Sequence, residues 1–165
     1  MTCRLLGQHA DISLAADPWL PYYKSLRNAA LADHPPFQDS YGPESAFQDF
    51  YFGEDQPAIL QRLLQLDLAK VRLDSDEWAK LLPRLKQRMS DNSADLIPRL
   101  DENLEAKNYG QLLSRLLDTP APNPLIGFKE VWIIEHIPPL LRQFPNAKFV
   151  IVLRDPRGIL ASVLR

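Results

Sequence analysis

An arginine, an aspartate and a proline directly follow an apolar run in the segment FVIVLRDPRGILAS, residues 149–162. The run has the composition of a strand that is buried on both faces of a parallel sheet. Asp155 and Pro156 are typical of the start of a helix. In open α/β sheets, ligands bind outside the carboxyl ends of the strands. The segment therefore predicts an anion site where this strand meets its helix.

The residue types at this predicted site suit a phosphate group. Arg154 would supply a charged, forked donor from the end of the strand. Gly158 and Ser162 are four residues apart and share one helical face, so a phosphate could approach the backbone and accept a hydroxyl hydrogen bond. From spacing alone, the alternative is that Arg154 and Arg157 are solvated charges without a ligand.

The elements that must position this site alternate between strand and helix, which predicts an α/β fold with a parallel sheet and flanking helices. Three strands are predicted, of which the last is the continuous apolar run: residues 11–17, 125–131 and 147–154. Helices are predicted where apolar residues recur at spacings of three and four: residues 18–32, 57–71, 74–89, 93–118 and 133–145.

Composition limits the classes of function. The chain has 165 residues, of which 45% are hydrophobic and 24% charged, as in a globular domain. A formal net charge of −2 disfavours a general nucleic-acid binder. No apolar run reaches the roughly 18 residues of a membrane span, the first residues do not form a signal peptide, and the single cysteine, Cys3, suits a reducing compartment. We expect a cytoplasmic protein with neither nucleic acid nor membrane as partner.

The segment FPNAKFVIVLRDPRGILASVLR, residues 144–165, resembles the 3′-phosphate-binding segment of sulfotransferases that use 3′-phosphoadenosine 5′-phosphosulfate (PAPS). In that family an arginine at the strand end and a serine eight positions later hold the 3′-phosphate of PAPS. Arg154 and Ser162 match both the residue types and the spacing. The resemblance implies transfer of a sulfuryl group from PAPS to a hydroxyl or amine acceptor, which could be a small molecule, a glycan or a peptide.

The resemblance also implies an architecture. It indicates a single, partial domain with the P-loop-NTPase-like sulfotransferase fold. Residues 1–32 and 125–165 would form the nucleotide-binding core, and residues 33–124 would be a mainly helical insertion. The chemistry of the family requires no metal, and no His, Cys or carboxylate cluster in the sequence has the spacing of metal ligands.

Catalytic residues follow from the same resemblance. A lysine on the neighbouring strand end lies near the transferring sulfuryl group in the family, and Lys129 occupies that place. In several branches of the family, the proposed base is an acidic residue that follows the second strand of the complete fold. Asp17 matches this residue by position. Alternatively, Asp17 caps the following helix. Glu130 is a second candidate base or a partner of Lys129, although alternation along a strand would point it to the opposite face.

Aromatic and histidine side chains give weaker indications. Trp19, Tyr22 and Tyr23 follow Asp17, and they either line an acceptor pocket or pack their helix onto the core. His34 lies in a proline-rich loop and is a candidate for a substrate contact. His9 and His136 are expected to be surface or packing residues.

One family feature has no counterpart in this sequence. The Pro-x-Ser-Gly-Thr-type loop that wraps the 5′-phosphosulfate is missing, and residues 2–19 resemble the helix and strand that follow it. We therefore expect this chain to be a truncated sulfotransferase. The intact protein would be active, and this chain alone would be inactive. The alternatives are a non-catalytic helical interaction module and a degenerate nucleotide-binding protein. A kinase-like relative would need a phosphate loop with lysine and Ser/Thr, which the sequence lacks.

A sheet that lacks an edge or central strand exposes unpaired backbone groups and apolar surface. We therefore predict that the purified chain self-associates or is poorly soluble. Size-exclusion chromatography with light scattering measures this directly. A monodisperse monomer that melts cooperatively would contradict the prediction.

Overall fold

A computed structural model describes residues 9–17, 19–33, 56–92, 106–117, 125–130 and 133–152. These residues contain two strands, five α-helices and one 3-10 turn. In chain order they are β1 (Ile12–Ala16), α1 (Leu20–Ala30), α2 (Gln56–Leu64), α3 (Ser75–Asn92), α4 (Tyr109–Leu117), β2 (Leu125–Lys129), the 3-10 turn (Ile134–His136) and α5 (Ile137–Gln143). The predicted α/β class is confirmed.

The sheet formed by the described residues pairs β1 with β2 in parallel. Ile12 lies opposite Leu125, and Ala16 lies opposite Lys129. Because parallel strands need a long crossover, the chain between them can hold α1 to α4. Both strands end at the same edge of the sheet, so the residues that follow each strand are brought together.

Helix α1 carries the face that joins this sheet to the helices. Pro21 lies in its first turn, where a missing N–H group costs nothing. Tyr22, Tyr23 and Leu26 are spaced along one face and buried. They pack in one apolar cluster with leucines of α3 and α4: Leu81, Leu82, Leu85, Leu112, Leu113 and Leu116.

Polar side chains fix the starts of α3 and α4. Asp74 Oδ1 accepts the Glu77 N–H at 2.8 Å, and Asn108 Oδ1 accepts the Gln111 N–H at 2.8 Å. Each bond satisfies one of the N–H groups that a helix start leaves free. The acidic first turn of α3, with Asp76 and Glu77, also matches the helix dipole.

Helix α2 is shorter than predicted, because it ends at Leu64 and not near residue 71. Arg142 of α5 donates from Nη2 to the carbonyls of Leu64 and Leu66 at 3.0 and 2.7 Å. A basic side chain therefore satisfies carbonyl groups at the helix end. This contact comes from a distant part of the chain, so the leucine spacing alone could not reveal it.

The predicted central strand at residues 147–154 is wrong in its described part. Residues 147–152 form no strand, and Val150, Ile151 and Val152 are 75%, 59% and 65% exposed. An apolar run becomes a buried strand only where neighbouring strands bond its backbone. Within the described residues the sheet consists of β1 and β2. The composition of the run indicated a preference for a strand but not the presence of a neighbour.

Two adjacent tyrosines of α1 allow a matched test of the core. Tyr22 is 0% exposed, and its hydroxyl donates to the Tyr109 carbonyl at 2.9 Å. Tyr23 is 1% exposed, and its hydroxyl has no hydrogen-bond partner among the described groups. We predict that Tyr22→Phe lowers the free energy of unfolding by about 1–2 kcal/mol, because a buried hydrogen bond is lost.

Tyr23→Phe is the control. It removes a buried hydroxyl without a protein partner, so it should leave the free energy of unfolding within about 0.5 kcal/mol of the parent or raise it. Urea denaturation of the parent and both variants gives the comparison. Equal losses of unfolding free energy in the two variants would show that the Tyr22 hydrogen bond does not itself stabilise the fold.

Candidate functional site

The two strand ends bring Asp17 and Lys129 into contact across 112 positions of sequence. The Asp17 N–H donates to the Lys129 carbonyl at 2.6 Å, which extends the pairing one residue beyond β1. The Lys129 ammonium donates to both carboxylate oxygens of Asp17, at 2.9 Å from Oδ1 and 2.7 Å from Oδ2. Two predicted catalytic residues thus meet at the carboxyl edge of a parallel sheet.

Backbone conformation directs the Asp17 side chain. Its φ of 51° lies in the left-handed region, which aspartate visits more readily than most residues. The side chains of Asp17 and Lys129 are 21% and 45% exposed. Because both can be reached from solvent, their ion pair adds little to folding stability. The pair offers a proton acceptor and a cation at a place that a ligand can reach.

Helix α3 contributes a second cationic side chain. Arg88 donates from Nε to the Asp17 carbonyl at 3.0 Å. Sequence reasoning missed this residue, because it lies in the predicted insertion and has no motif around it. The contact shows that the helical part of the chain helps to fix the residue that follows β1.

Glu130 follows Lys129 directly but lies in a different environment. It is 7% exposed, and its Oε1 accepts the Trp19 N–H at 2.5 Å. Burial raises the pKa of Glu130 to about 8, and the Asp17 carboxylate adds to the rise, while the Trp19 N–H, Arg88 and Lys129 oppose it. Glu130 is therefore mostly uncharged at neutral pH.

The structure places the other aromatic and histidine candidates in or near the core. Trp19 is 4% exposed and contacts Phe128 edge to face, with ring centroids 6.4 Å apart. Tyr22 and Tyr23 are buried, which fits the packing alternative for all three aromatic residues. His136 stacks on Tyr23 at 5.4 Å, and burial lowers the pKa of His136 to about 4.

Several predicted positions lie outside the described residues. They include both residues of the predicted 3′-phosphate site, Arg154 and Ser162, and the loop residue His34. Their roles stay predictions. His9 is described and exposed; its Nδ1 accepts the Asp11 N–H at 3.2 Å and lies 3.9 Å from Asp11 Oδ2.

Two buried groups should make stability depend on pH in opposite directions. The pKa of His136 falls from 6.5 to about 4 on folding, so its contribution is lost as the pH drops from 6.5 to 4. The pKa of Glu130 rises from 4.5 to about 8, so its contribution is lost as the pH rises from 4.5 to 8. Between pH 4.5 and 6.5 the two changes offset each other.

Above pH 6.5 the change due to Glu130 remains. We predict that the free energy of unfolding falls by roughly 1–2 kcal/mol between pH 6.5 and 8, as expected for one ionising group. Urea denaturation at closely spaced pH values measures this fall. Glu130→Gln removes the ionisable group and should flatten the profile in that range. An unchanged slope in the variant would assign the fall to another residue.

Two kinds of feature are absent from the described residues. No group of three or more His, Cys, Asp or Glu there could hold a metal ion. In the same residues no helix is long and apolar enough to cross a bilayer.

Comparison with known proteins identifies the family. A search of curated proteins and a search of solved structures each found no match. The model of the Sulfotransferase family matches residues 1–165, which confirms the resemblance at the level of the family. This chain therefore belongs to the Sulfotransferase family.

Proposed function

We propose that this protein transfers a sulfuryl group from PAPS to a hydroxyl or amine acceptor. The observation that carries the proposal is the contact between Asp17 and Lys129 at the carboxyl ends of two parallel strands, in a chain that belongs to the Sulfotransferase family. The exposed part of the Lys129 side chain suits an anionic donor, and the adjacent carboxylate suits an acceptor that must lose a proton.

In this reaction the acceptor oxygen or nitrogen forms a bond to sulfur while the bond between sulfur and the bridging phosphate oxygen breaks. PAPS supplies the sulfuryl group and leaves as adenosine 3′,5′-bisphosphate. Asp17 accepts the proton that the acceptor gives up. Lys129 stabilises the negative charge that develops on the leaving phosphate. Its existing ion pair with Asp17 holds both groups at one edge of the sheet before substrates bind.

Solvent access supports Asp17 over Glu130 as the base. A general base must come within about 3 Å of the proton that it removes. The Asp17 side chain is 21% exposed, whereas Glu130 is 7% exposed and its Oε1 is occupied by the Trp19 N–H. Burial also keeps Glu130 mostly protonated at neutral pH, since its pKa is about 8. A protonated carboxyl group cannot take a proton from the acceptor.

The remaining parts of the proposal come from the sequence. Arg154 and Ser162 hold the 3′-phosphate of the nucleotide, in the P-loop-like arrangement that the family resemblance implies. The acceptor is a small molecule, a glycan or a peptide, and residues 33–124 supply its contacts. We propose a cytoplasmic location for the reaction, and exposed apolar surface favours self-association of the chain.

Calorimetric titration with adenosine 3′,5′-bisphosphate, the product form of PAPS, tests the nucleotide site. We expect Arg154→Ala to weaken binding by about 10- to 100-fold, because a charge-assisted hydrogen bond to phosphate contributes about 1.5–3 kcal/mol. Arg72→Ala removes an exposed arginine of equal charge and serves as the control. Binding that survives Arg154→Ala unchanged, or no binding to the folded parent chain, would remove the support for this nucleotide site.

A further inference from the structure

Asp17 at the end of β1 and Trp19 at the start of α1 each bind one of two consecutive residues at the end of β2. Lys129 contacts Asp17 through its carbonyl and its ammonium group. Glu130 contacts Trp19, two positions after Asp17, through its carboxyl group. Arg88 of α3 adds a third contact, to the Asp17 carbonyl. The position of Asp17 thus depends on contacts made on both sides of it.

Glu130 makes a bond that a Glu or Gln in the first helical turn makes in a capping box, since it accepts the N–H of the N-cap residue. Helix α1 has no acidic residue in its own first turn. Trp19 is the N-cap residue of α1, and its side chain makes no capping hydrogen bond to the helix. Tryptophan cannot do so, because its side chain has no acceptor for a backbone N–H. Glu130 accepts the Trp19 N–H at 2.5 Å from the end of β2. The start of α1 is therefore fixed to the same strand end that carries Lys129.

We propose that Glu130 is a positioning residue, which fixes the start of α1 through the Trp19 N–H and so holds the Asp17 carboxylate against Lys129. The inference rests on the proposed function, in which Asp17 and Lys129 act on the substrates. It differs from a role as base, because Glu130 acts through Trp19 and touches neither substrate.

A neutral carboxyl group suits this role. The charged and titratable groups that act on Glu130 are Asp17, Lys129, Arg88 and the hydroxyl of Tyr23. Burial dominates over all of them and favours the protonated form, with a pKa of about 8. A protonated glutamate and a glutamine have nearly the same shape, and each presents a carbonyl oxygen to the Trp19 N–H. Glutamine should therefore support positioning, whereas it could never act as a base.

The reactivity of Lys129 tests the proposal without substrates. The full chain, Glu130→Ala and Glu130→Gln are treated briefly with acetic anhydride at pH 7, and acetylation of each lysine is measured by mass spectrometry. In the parent chain the Lys129 nitrogen is engaged by both oxygens of Asp17, which shields it from the reagent. We expect Glu130→Ala to raise the acetylation rate of Lys129 about three- to tenfold. This change corresponds to the loss of about 0.7–1.4 kcal/mol of interaction between the Lys129 ammonium and Asp17.

Glu130→Gln should keep the Lys129 rate within about twofold of the parent. Lys80, an exposed residue of α3, is the internal control and should react equally in all three proteins. An unchanged Lys129 rate in Glu130→Ala would overturn the proposal. A rise in Glu130→Gln as large as in Glu130→Ala would also overturn it.

Far-UV circular dichroism shows whether Glu130→Ala folds, and if it does not, a second variant decides. Glu130→Leu fills much the same space but offers no acceptor to the Trp19 N–H. We expect it to raise the ratio of the Lys129 rate to the Lys80 rate about three- to tenfold over the parent. An unchanged ratio would overturn the proposal.

The labelling and the nucleotide titration fail independently. Because acetylation needs no PAPS or acceptor, a positive labelling result with a failed titration would count against the proposed function and leave the contact of Glu130 with Trp19 established. A successful titration with a negative labelling result would overturn only the positioning role of Glu130 and leave the sulfotransferase proposal in place.

Discussion

The parallel pairing of β1 with β2 is the constraint on which the rest of the described structure depends. It joins Asp17 to Lys129 across 112 positions of sequence, and its last bond runs from the Asp17 N–H to the Lys129 carbonyl at 2.6 Å. Closing so long a loop costs conformational entropy, although that cost grows only slowly with length. The helices inside the loop offset it by burying one apolar cluster against α1.

The helices also take part in the site. Ser25 of α1 donates to Glu77 of α3 at 2.5 Å, and the Ser25 and Tyr109 hydroxyls share a bond of the same length. This chain of hydroxyl and carboxyl groups ties three helices together near the buried face of α1. It fixes α3 relative to α1, and Arg88 of α3 reaches the Asp17 carbonyl. The helices between the strands are therefore part of the support of the site.

Local sequence signals predicted part of this arrangement. The spacing of apolar residues predicted helices over residues 18–32 and 74–89, and the structure has α1 at Leu20–Ala30 and α3 at Ser75–Asn92. Contacts between distant residues were beyond such reasoning. The bond from the Trp19 N–H to Glu130 depends on how two elements meet, and the exposure of residues 150–152 depends on which strands lie beside them.

The sequence placed Asp17 and Lys129 at the ends of two strands, and the structure adds the ion pair between them. The backbone adds a restriction of its own. With a φ of 51°, Asp17 occupies a conformation that glycine, asparagine and aspartate adopt at little cost. Glutamate carries the same acid on a longer side chain but adopts this region less readily than aspartate. The shape of the main chain, together with the need for a carboxylate, thus favours aspartate over glutamate at this point.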